Sequence, residues 1–375
     1  MKQVKQVKQL KPVKPVKPVR PVRQVKRVGL LPVVLLVFTA LALWLAPMPP
    51  AFIESWYSRG VYLRWQRIAT LVSNLIPIAL FDLLILLVAL GVALAAIRAR
   101  RERSWTSAVV RVLVITAVVG IWFQLAWGLN YRRVPIRESL SLSVPPAGAR
   151  GLERFAHAAA DAARASAGDL DRGDAFSSSR VMSDLAPAFS RVQQRLRLPV
   201  SARPGRAKRS LFDPYFRWAA IDGVTNPLVP ETMVVSTLTP AEVHATVAHE
   251  WAHLAGYASE NEASFVGWLV CLEAGGAARY SGWVFALLKA AGASPANGAT
   301  WLERAGPVVT ADIRAMHARY LGSSPIVRRA ASATYDQFLR ANSVEGGIRS
   351  YDEVLQLMLA SGPNPEVLKG SPPNR

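Results

Sequence analysis

Thr239-Pro240-Ala241-Glu242-Val243-His244-Ala245-Thr246-Val247-Ala248-His249-Glu250-Trp251-Ala252-His253-Leu254-Ala255-Gly256 reads as one complete helix with a metal-binding pattern in its last two turns. Thr239 is a good N-cap, Pro240 suits the first helical position, and Glu242 has the spacing of a capping box. Gly256 marks the C-terminal end. A helix is therefore expected from about Pro240 to Ala255. His249 and His253 lie four residues apart, one turn along the same face, where two imidazoles can hold one zinc ion. Glu250 between them is placed to take a proton from a zinc-activated water. His244 precedes His249 by five residues, about 140° around the helix, and is not expected to share the metal.

A catalytic zinc takes three protein ligands and keeps a fourth position open. Three carboxylates compete for the third place. Glu260 and Glu262 lie in Ser259-Glu260-Asn261-Glu262-Ala263-Ser264, at the start of the next helix, which the turn at Gly256 brings back toward His253. Glu273 follows His253 at the spacing of thermolysin-like enzymes, without the Asn that precedes the ligand there. Each has an ordinary alternative use. Ser259 and Glu262 are spaced as a capping box, Glu260 falls in a first helical turn where acids are favoured, and Glu273 can pair with Arg279. Glu260 is preferred, then Glu262, then Glu273.

The rest of the composition organises the chain around this stretch. The 375 residues carry 45 basic and 25 acidic side chains, a net charge of +20. Half of the excess lies in Met1 to Val28, which holds ten Lys or Arg and no acid. This tail repeats KQV, KPV and RPV with a period of three. It is expected to be a disordered cytosolic segment, with attraction to anionic lipid as the sharper alternative. It lacks interleaved aromatics, so no nucleic-acid partner is expected. Cys271 is the single cysteine, which excludes an internal disulfide framework and a Cys-rich zinc site.

Three apolar stretches follow: Val28 to Ala46, about Leu75 to Ile97, and about Val112 to Leu129. Each can cross about 30 Å of hydrocarbon as a helix. No small-residue cleavage site follows the first, so it is expected to be retained. The tail and the basic loop Arg98 to Arg103 both belong on the cytoplasmic side, and three crossings then place the chain after Leu129 outside the cytoplasm. Asp82, near the outer end of the second span, suits a helix N-terminus, and Arg111 snorkels.

The expected domains are a basic tail (1–28), a three-helix transmembrane region (29–129) and a mostly helical α+β domain with a short β-hairpin (130–375). Helices are expected at Gly151 to Ala167, Leu185 to Leu196, Thr310 to Leu321, Ile326 to Ala341 and Tyr351 to Ala360. The last has Ser350 and Glu353 spaced as a capping box. Phe216 to Asp222 and Glu231 to Ser236 read as strands joined by a turn at Gly223 to Pro227. Ser264 to Leu272 and Gly282 to Leu288 are apolar but too short to span, and are expected to be buried core helices.

Asn226-Pro227, followed by His249-Glu250-Trp251-Ala252-His253-Leu254-Ala255-Gly256-Tyr257-Ala258-Ser259-Glu260-Asn261-Glu262-Ala263, resembles an uncharacterised bacterial family. Those are membrane proteins of unknown function with the pattern HExAHxxGxxxExEAxF. Trp127 to Arg132 and Gly346 to Tyr351 also match, so the similarity covers most of the chain after the tail. The resemblance implies a zincin-like domain behind three spans of a bacterial inner membrane, and it brings no established substrate. Glu260 and Ala263 are also similar to the ExxAD pattern of membrane zinc endopeptidases such as the CAAX prenyl protease. There the first Glu binds zinc, which points to Glu260. Ser264 stands where those enzymes have an Asp that supports a motif histidine, and their gap before the third ligand is much longer.

The expected function is zinc-dependent hydrolysis of a polypeptide, with Glu250 carrying the proton. The strand Glu231 to Ser236 would offer a cleft edge to an extended peptide. His317, Tyr335 and Tyr351 are candidate oxyanion donors. One alternative is a membrane-anchored binding or scaffold protein with a structural or vestigial zinc, for which a fourth protein ligand is expected. Another is a zinc hydrolase of a cell-wall amide or a lipid. Membrane lipids are the expected partners, and nothing in the sequence indicates an oligomeric state.

Overall fold

Apolar side chains around the whole circumference, with no polar face, turn three early segments into helices suited to lipid. They are Leu30–Leu45 (α1), Leu80–Glu102 (α3) and Trp105–Ala126 (α4) in a computed structural model that describes residues 30–102, 105–142, 148–173, 176–342 and 353–365. The basic tail, Ser350 and the Gly346 to Tyr351 stretch lie outside the described residues. Two helices, Leu80–Arg101 and Ala108–Ala126, are long and apolar enough to cross a membrane. α1 bends by 103° into Pro50–Leu75 (α2), a continuous helix with the wider π winding over Ile53–Val61, and the pair makes a third candidate if it is taken as one span. The second candidate starts at Leu80 rather than Leu75, because Pro77 interrupts the helix and restricts the residue before it.

Downstream, the chain is mainly helical. Its longer helices are Ala149–Ser166 (α5), Ser178–Arg195 (α6), Pro240–Leu254 (α7), Glu260–Ala274 (α8), Gly276–Ala293 (α9), Pro295–Arg304 (α10), Pro307–Leu321 (α11), Pro325–Ala341 (α12) and Glu353–Ser361 (α13). α8 is the centre of the core. Glu260 and every residue from Glu262 to Leu272 are buried, and α6, α7 and α9 pack around them. Burial on all faces explains why α8 has no amphipathic periodicity. At Gly267 α8 comes so close to α7 that an added Cβ would lie 2.8 Å from the His249 backbone nitrogen. The absent side chain therefore sets the distance between the two helices that carry the candidate ligands.

A small sheet covers one side of α7. Its strands are Ala207–Lys208 (β1), Gly223–Asn226 (β2) and Glu231–Val234 (β3), in the order β1-β3-β2. β1 runs parallel to β3; β2 is antiparallel, with Thr225 opposite Thr232. Three expectations are corrected here. Phe216–Ala219 ends a short helix, Asp213–Ala219, because Asp213-Pro214 favours a helix start and Ala220 stops it in the left-handed region, φ 54°. The first strand is instead Gly223–Asn226, the segment expected as a turn. The turn falls at 227–230, where Asn226 Oδ1 accepts the Leu228 N–H at 3.0 Å. Finally, β3 is paired on both sides and cannot be a cleft edge; among the described residues that place belongs to β2.

Buried carboxylates tie α3 to this sheet. Glu231 accepts the N–H groups of Leu80 (3.0 Å) and Phe81 (2.6 Å), which α3 cannot satisfy within its own first turn. It also takes Lys208 Nζ and Asn226 Nδ2, each at 3.0 Å. Asp82 accepts Ser210 Oγ at 2.5 Å and the Leu211 N–H at 2.7 Å. Its carboxylate thus lies against the domain, holding the loop after β1.

Candidate metal centre

The motif helix α7 begins as its sequence suggests: the Glu242 carboxylate accepts the Thr239 N–H at 2.8 Å. The same carboxylate pairs with Arg319, which also reaches Asp222 at 2.8 Å. At the far end Gly256 turns the chain with φ 85°, and α8 starts at Glu260. Arg133 holds that turn. It forms a two-pronged ion pair with Glu54, 2.8 Å on each prong, and donates to the Gly256 carbonyl at 2.9 Å.

This arrangement brings His249, His253 and Glu260 together. The two Nε2 atoms are 3.1 Å apart, and Glu260 Oε2 is 3.1 Å from His249 Nε2 and 3.5 Å from His253 Nε2. Among the described residues these three form the group of His, Cys, Asp or Glu donors able to hold a metal ion. Donors about 2.0–2.1 Å from a tetrahedral ion stand roughly 3.3 Å from one another, so the donor set fits an ion of zinc's size. The rear nitrogens are also held. His253 Nδ1 donates to the Tyr257 carbonyl at 2.7 Å, and His249 Nδ1 lies 3.1 Å from Ser264 Oγ. Both contacts turn Nε2 toward the cluster. Ser264 thus touches the motif histidine from the start of α8.

The electrostatics favour a cation at this point. Burial works against charge on His253, yet the Glu260 carboxylate raises its pKa to about 9. Burial likewise opposes ionisation of Glu260, but the two imidazoles hold it well below the usual carboxylate range. Tyr335 donates its hydroxyl to Glu260 Oε1. Glu250 faces a different balance: burial pushes its pKa up, against the neighbouring imidazoles. Thr225 Oγ1 in β2 donates to Glu250 Oε2 at 2.7 Å.

His249, Glu250, His253 and Glu260 line one cavity of about 890 Å³. Gly223, Val224 and Thr225 of β2 form one wall, and Tyr131, Phe285 and Phe338 contribute an aromatic one. The edge of Trp127 meets the His253 ring, with centroids 6.0 Å apart.

The other sequence candidates lie elsewhere. Glu262 is about 200° around α8 from Glu260, so it faces away from α7. Its Oε1 accepts the Ile136 N–H at 2.6 Å, burial raises its pKa to about 7, and the Ser259 side chain does not cap the helix. Glu273 is carried about 20 Å along α8 from Glu260. It pairs with Arg191 at 2.5 Å and with Arg195, whereas Arg279 donates to the Leu272 carbonyl. His244 meets Asp184 at 3.0 Å. Of the proposed oxyanion donors, Tyr335 lines the cavity, His317 is exposed, and Tyr351 is outside the described residues. Thr225, Tyr131 and Arg133 had no role assigned from sequence. Trp127 to Arg132 and Asn226-Pro227 carried or bordered all three, but their contacts depend on segments distant in the chain.

A family of proteins of unknown function, DUF3810, matches residues 57–359. The chain belongs to this family. The matched segment begins within α2, ends within α13 and contains every cavity-lining residue. No curated protein and no solved structure matches the chain.

Proposed function

We propose that this family member is a membrane-anchored zinc metallopeptidase of zincin-like design. The observation that carries the proposal is the three-donor cluster His249, His253 and Glu260 beside the buried Glu250 carboxylate, all on one cavity. Zinc bound there would supply a Lewis acid that makes water more acidic and polarises a carbonyl. Glu250 takes the proton of the attacking water and returns it to the leaving amine. Burial raises its pKa, the direction that helps a carboxylate hold a proton in transit, and Thr225 fixes its orientation. β2 lies at the sheet edge in the cavity wall, where an extended polypeptide can add as a further strand. Tyr335 is the proposed oxyanion donor: its hydroxyl lies at the cluster, and its one proton would turn from Glu260 to the developing oxyanion.

A purely structural zinc site would close with four protein ligands. Among the described residues three such donors converge, and they border a cavity, which favours hydrolysis over scaffolding. The C-terminal ends of α1 and α4 and the N-terminal end of α3 all meet the domain, through Arg132 on the Ala46 carbonyl, Trp122 on the Leu228 carbonyl and the Leu80 N–H on Glu231, the order that three crossings produce. With the basic tail and the Arg98 to Arg101 segment in the cytoplasm, the domain lies outside a bacterial inner membrane.

The test is to purify the full chain in detergent, measure bound metal by mass spectrometry, and compare wild type with Glu250→Gln on a peptide library. One zinc per chain and Glu250-dependent cleavage are expected. Full zinc occupancy without Glu250-dependent turnover would overturn the peptidase assignment.

A further inference from the structure

We propose that α2 lies flat in the lipid–water interface, with its outer face in lipid and its inner face carrying the metal-site domain. α2 is amphipathic in an unusual sense, since both faces have apolar residues but only one is covered. Tyr62, Leu63, Gln66, Ala69, Thr70 and Ser73 are buried. Gln66 Nε2 donates to the Arg203 carbonyl at 2.8 Å and Thr70 Oγ1 to the Pro230 carbonyl at 2.7 Å, so this face is fastened along its length to the domain. The opposite face exposes Ile68, Leu71, Val72 and Leu75, the i, i+3, i+4, i+7 stripe of a helix with an apolar partner. Phe52 and Trp56 extend the exposed surface toward the other end and stack with centroids 5.6 Å apart.

Continuity with the candidate spans identifies lipid as that partner. α2 follows α1 after a 103° bend, and only 76–79 separate it from α3. Crossing helices stand on average about 20° from the membrane normal, so a helix bent by this angle runs close to the membrane plane. Both ends of α2 are therefore tied at the level where chains enter the bilayer. Trp65 meets Trp122 of α4 edge-on, with centroids 5.3 Å apart, and the Tyr57 hydroxyl donates to the Leu125 carbonyl at 3.0 Å. Trp and Tyr at this level match the aromatic belt of a membrane boundary. Arg64 is exposed one turn before Ile68, where a guanidinium can reach lipid phosphate while its stem stays apolar. The covered face argues against α2 as a continuation of the span begun by α1, because its polar groups are already committed to the domain. The Tyr62 hydroxyl donates to the Leu254 carbonyl at 3.1 Å, so the end of the motif helix rests directly on α2.

The experiment uses the full chain in vesicles of phosphatidylcholine and phosphatidylglycerol. Nitroxide labels go on single cysteines replacing Phe52, Ile68, Leu71 or Leu75, with Gly292→Cys as an exposed control. Cys271 is buried and its thiol is pushed up by burial, so the unsubstituted chain reports the background labelling. Collision with oxygen and with a soluble nickel chelate gives the depth of each label. All four labels are expected at one shallow depth, with the oxygen-to-nickel ratio several-fold above the control. A span would spread Phe52 and Leu75 over roughly 30 Å of depth, and that result overturns the proposal. A ratio equal to the control at all four positions overturns it as well.

Discussion

At the scale of single residues, the proposed metal site gives separable roles to side chains that sit next to one another in sequence. Glu250→Gln keeps the shape of the carboxylate but cannot accept a proton. It is expected to lower kcat by about 10²–10⁴-fold with zinc content unchanged, as checked by peptide cleavage and metal analysis. Ser264 acts through His249. Removing its hydroxyl in Ser264→Ala should weaken zinc about 10–100-fold in a chelator competition, and Ser264→Asp should restore affinity. Equal affinity in wild type and Ser264→Ala would remove that role. The proton on His253 competes with metal. Its pKa is raised by Glu260 to about 9, above the ordinary value of about 6.5. Zinc affinity should therefore rise with pH through the neutral range, and binding should release protons measurable in weakly buffered solution. The same shift stabilises the metal-free fold fully below about pH 6.5, and the contribution fades as pH rises through 9. Thermal melts of chelator-treated protein at pH 6 and 9.5 should show the lower Tm at the higher pH.

At the scale of elements, the relation between α7 and α8 decides which carboxylate joins the histidines. Both Glu260 and Glu262 are available in the sequence, and the phase of α8 selects Glu260. That phase is maintained where Gly267 meets the His249 backbone. Gly267→Ala should cost about 1–3 kcal/mol of stability by overpacking and reduce zinc retention, since it pushes His249 from Glu260. Gly292→Ala, with open space around it near the end of α9, should lower neither. Melting curves and metal content of the two variants make the comparison. The strand shift has a similar origin. Local residues indicate strands and turn punctuation near 216–236, but pairing with β3 converts Gly223–Asn226 from turn into edge strand.

At the scale of the whole molecule, the candidate spans and the domain that carries the candidate metal site are one packed unit. The buried Lys208–Glu231 pair joins the sheet to the start of α3, with both side chains 1% exposed. Lys208→Met leaves Glu231 charged and poorly compensated, and should destabilise the chain by about 3–5 kcal/mol in a detergent-based unfolding assay. A loss below about 1 kcal/mol would mean that other contacts carry the junction. If α2 rests in the interface and the cluster hydrolyses peptides, the cavity stands about one helix diameter, roughly 10 Å, above lipid. Peptides anchored in the vesicle should then be cleaved faster than the same peptides in solution. Equal rates would separate the catalytic assignment from the membrane placement.

The chain's local chemistry determined a good deal by itself. The motif helix from Pro240, the pairing of His249 with His253, and the apolar segments of the first 130 residues all depend on neighbours within a few turns. Helical period and the length of a bilayer crossing are enough to read them. Tertiary structure decided the rest. It set Glu260, rather than Glu262 or Glu273, beside the two histidines, brought Thr225 to Glu250 across 25 residues, and seated Asp82 against the domain. It also turned α2, which has no unbroken apolar run, into a support covered on one face. Each of these outcomes rests on contacts between distant segments, where burial and backbone approach choose among residues that local spacing leaves equivalent.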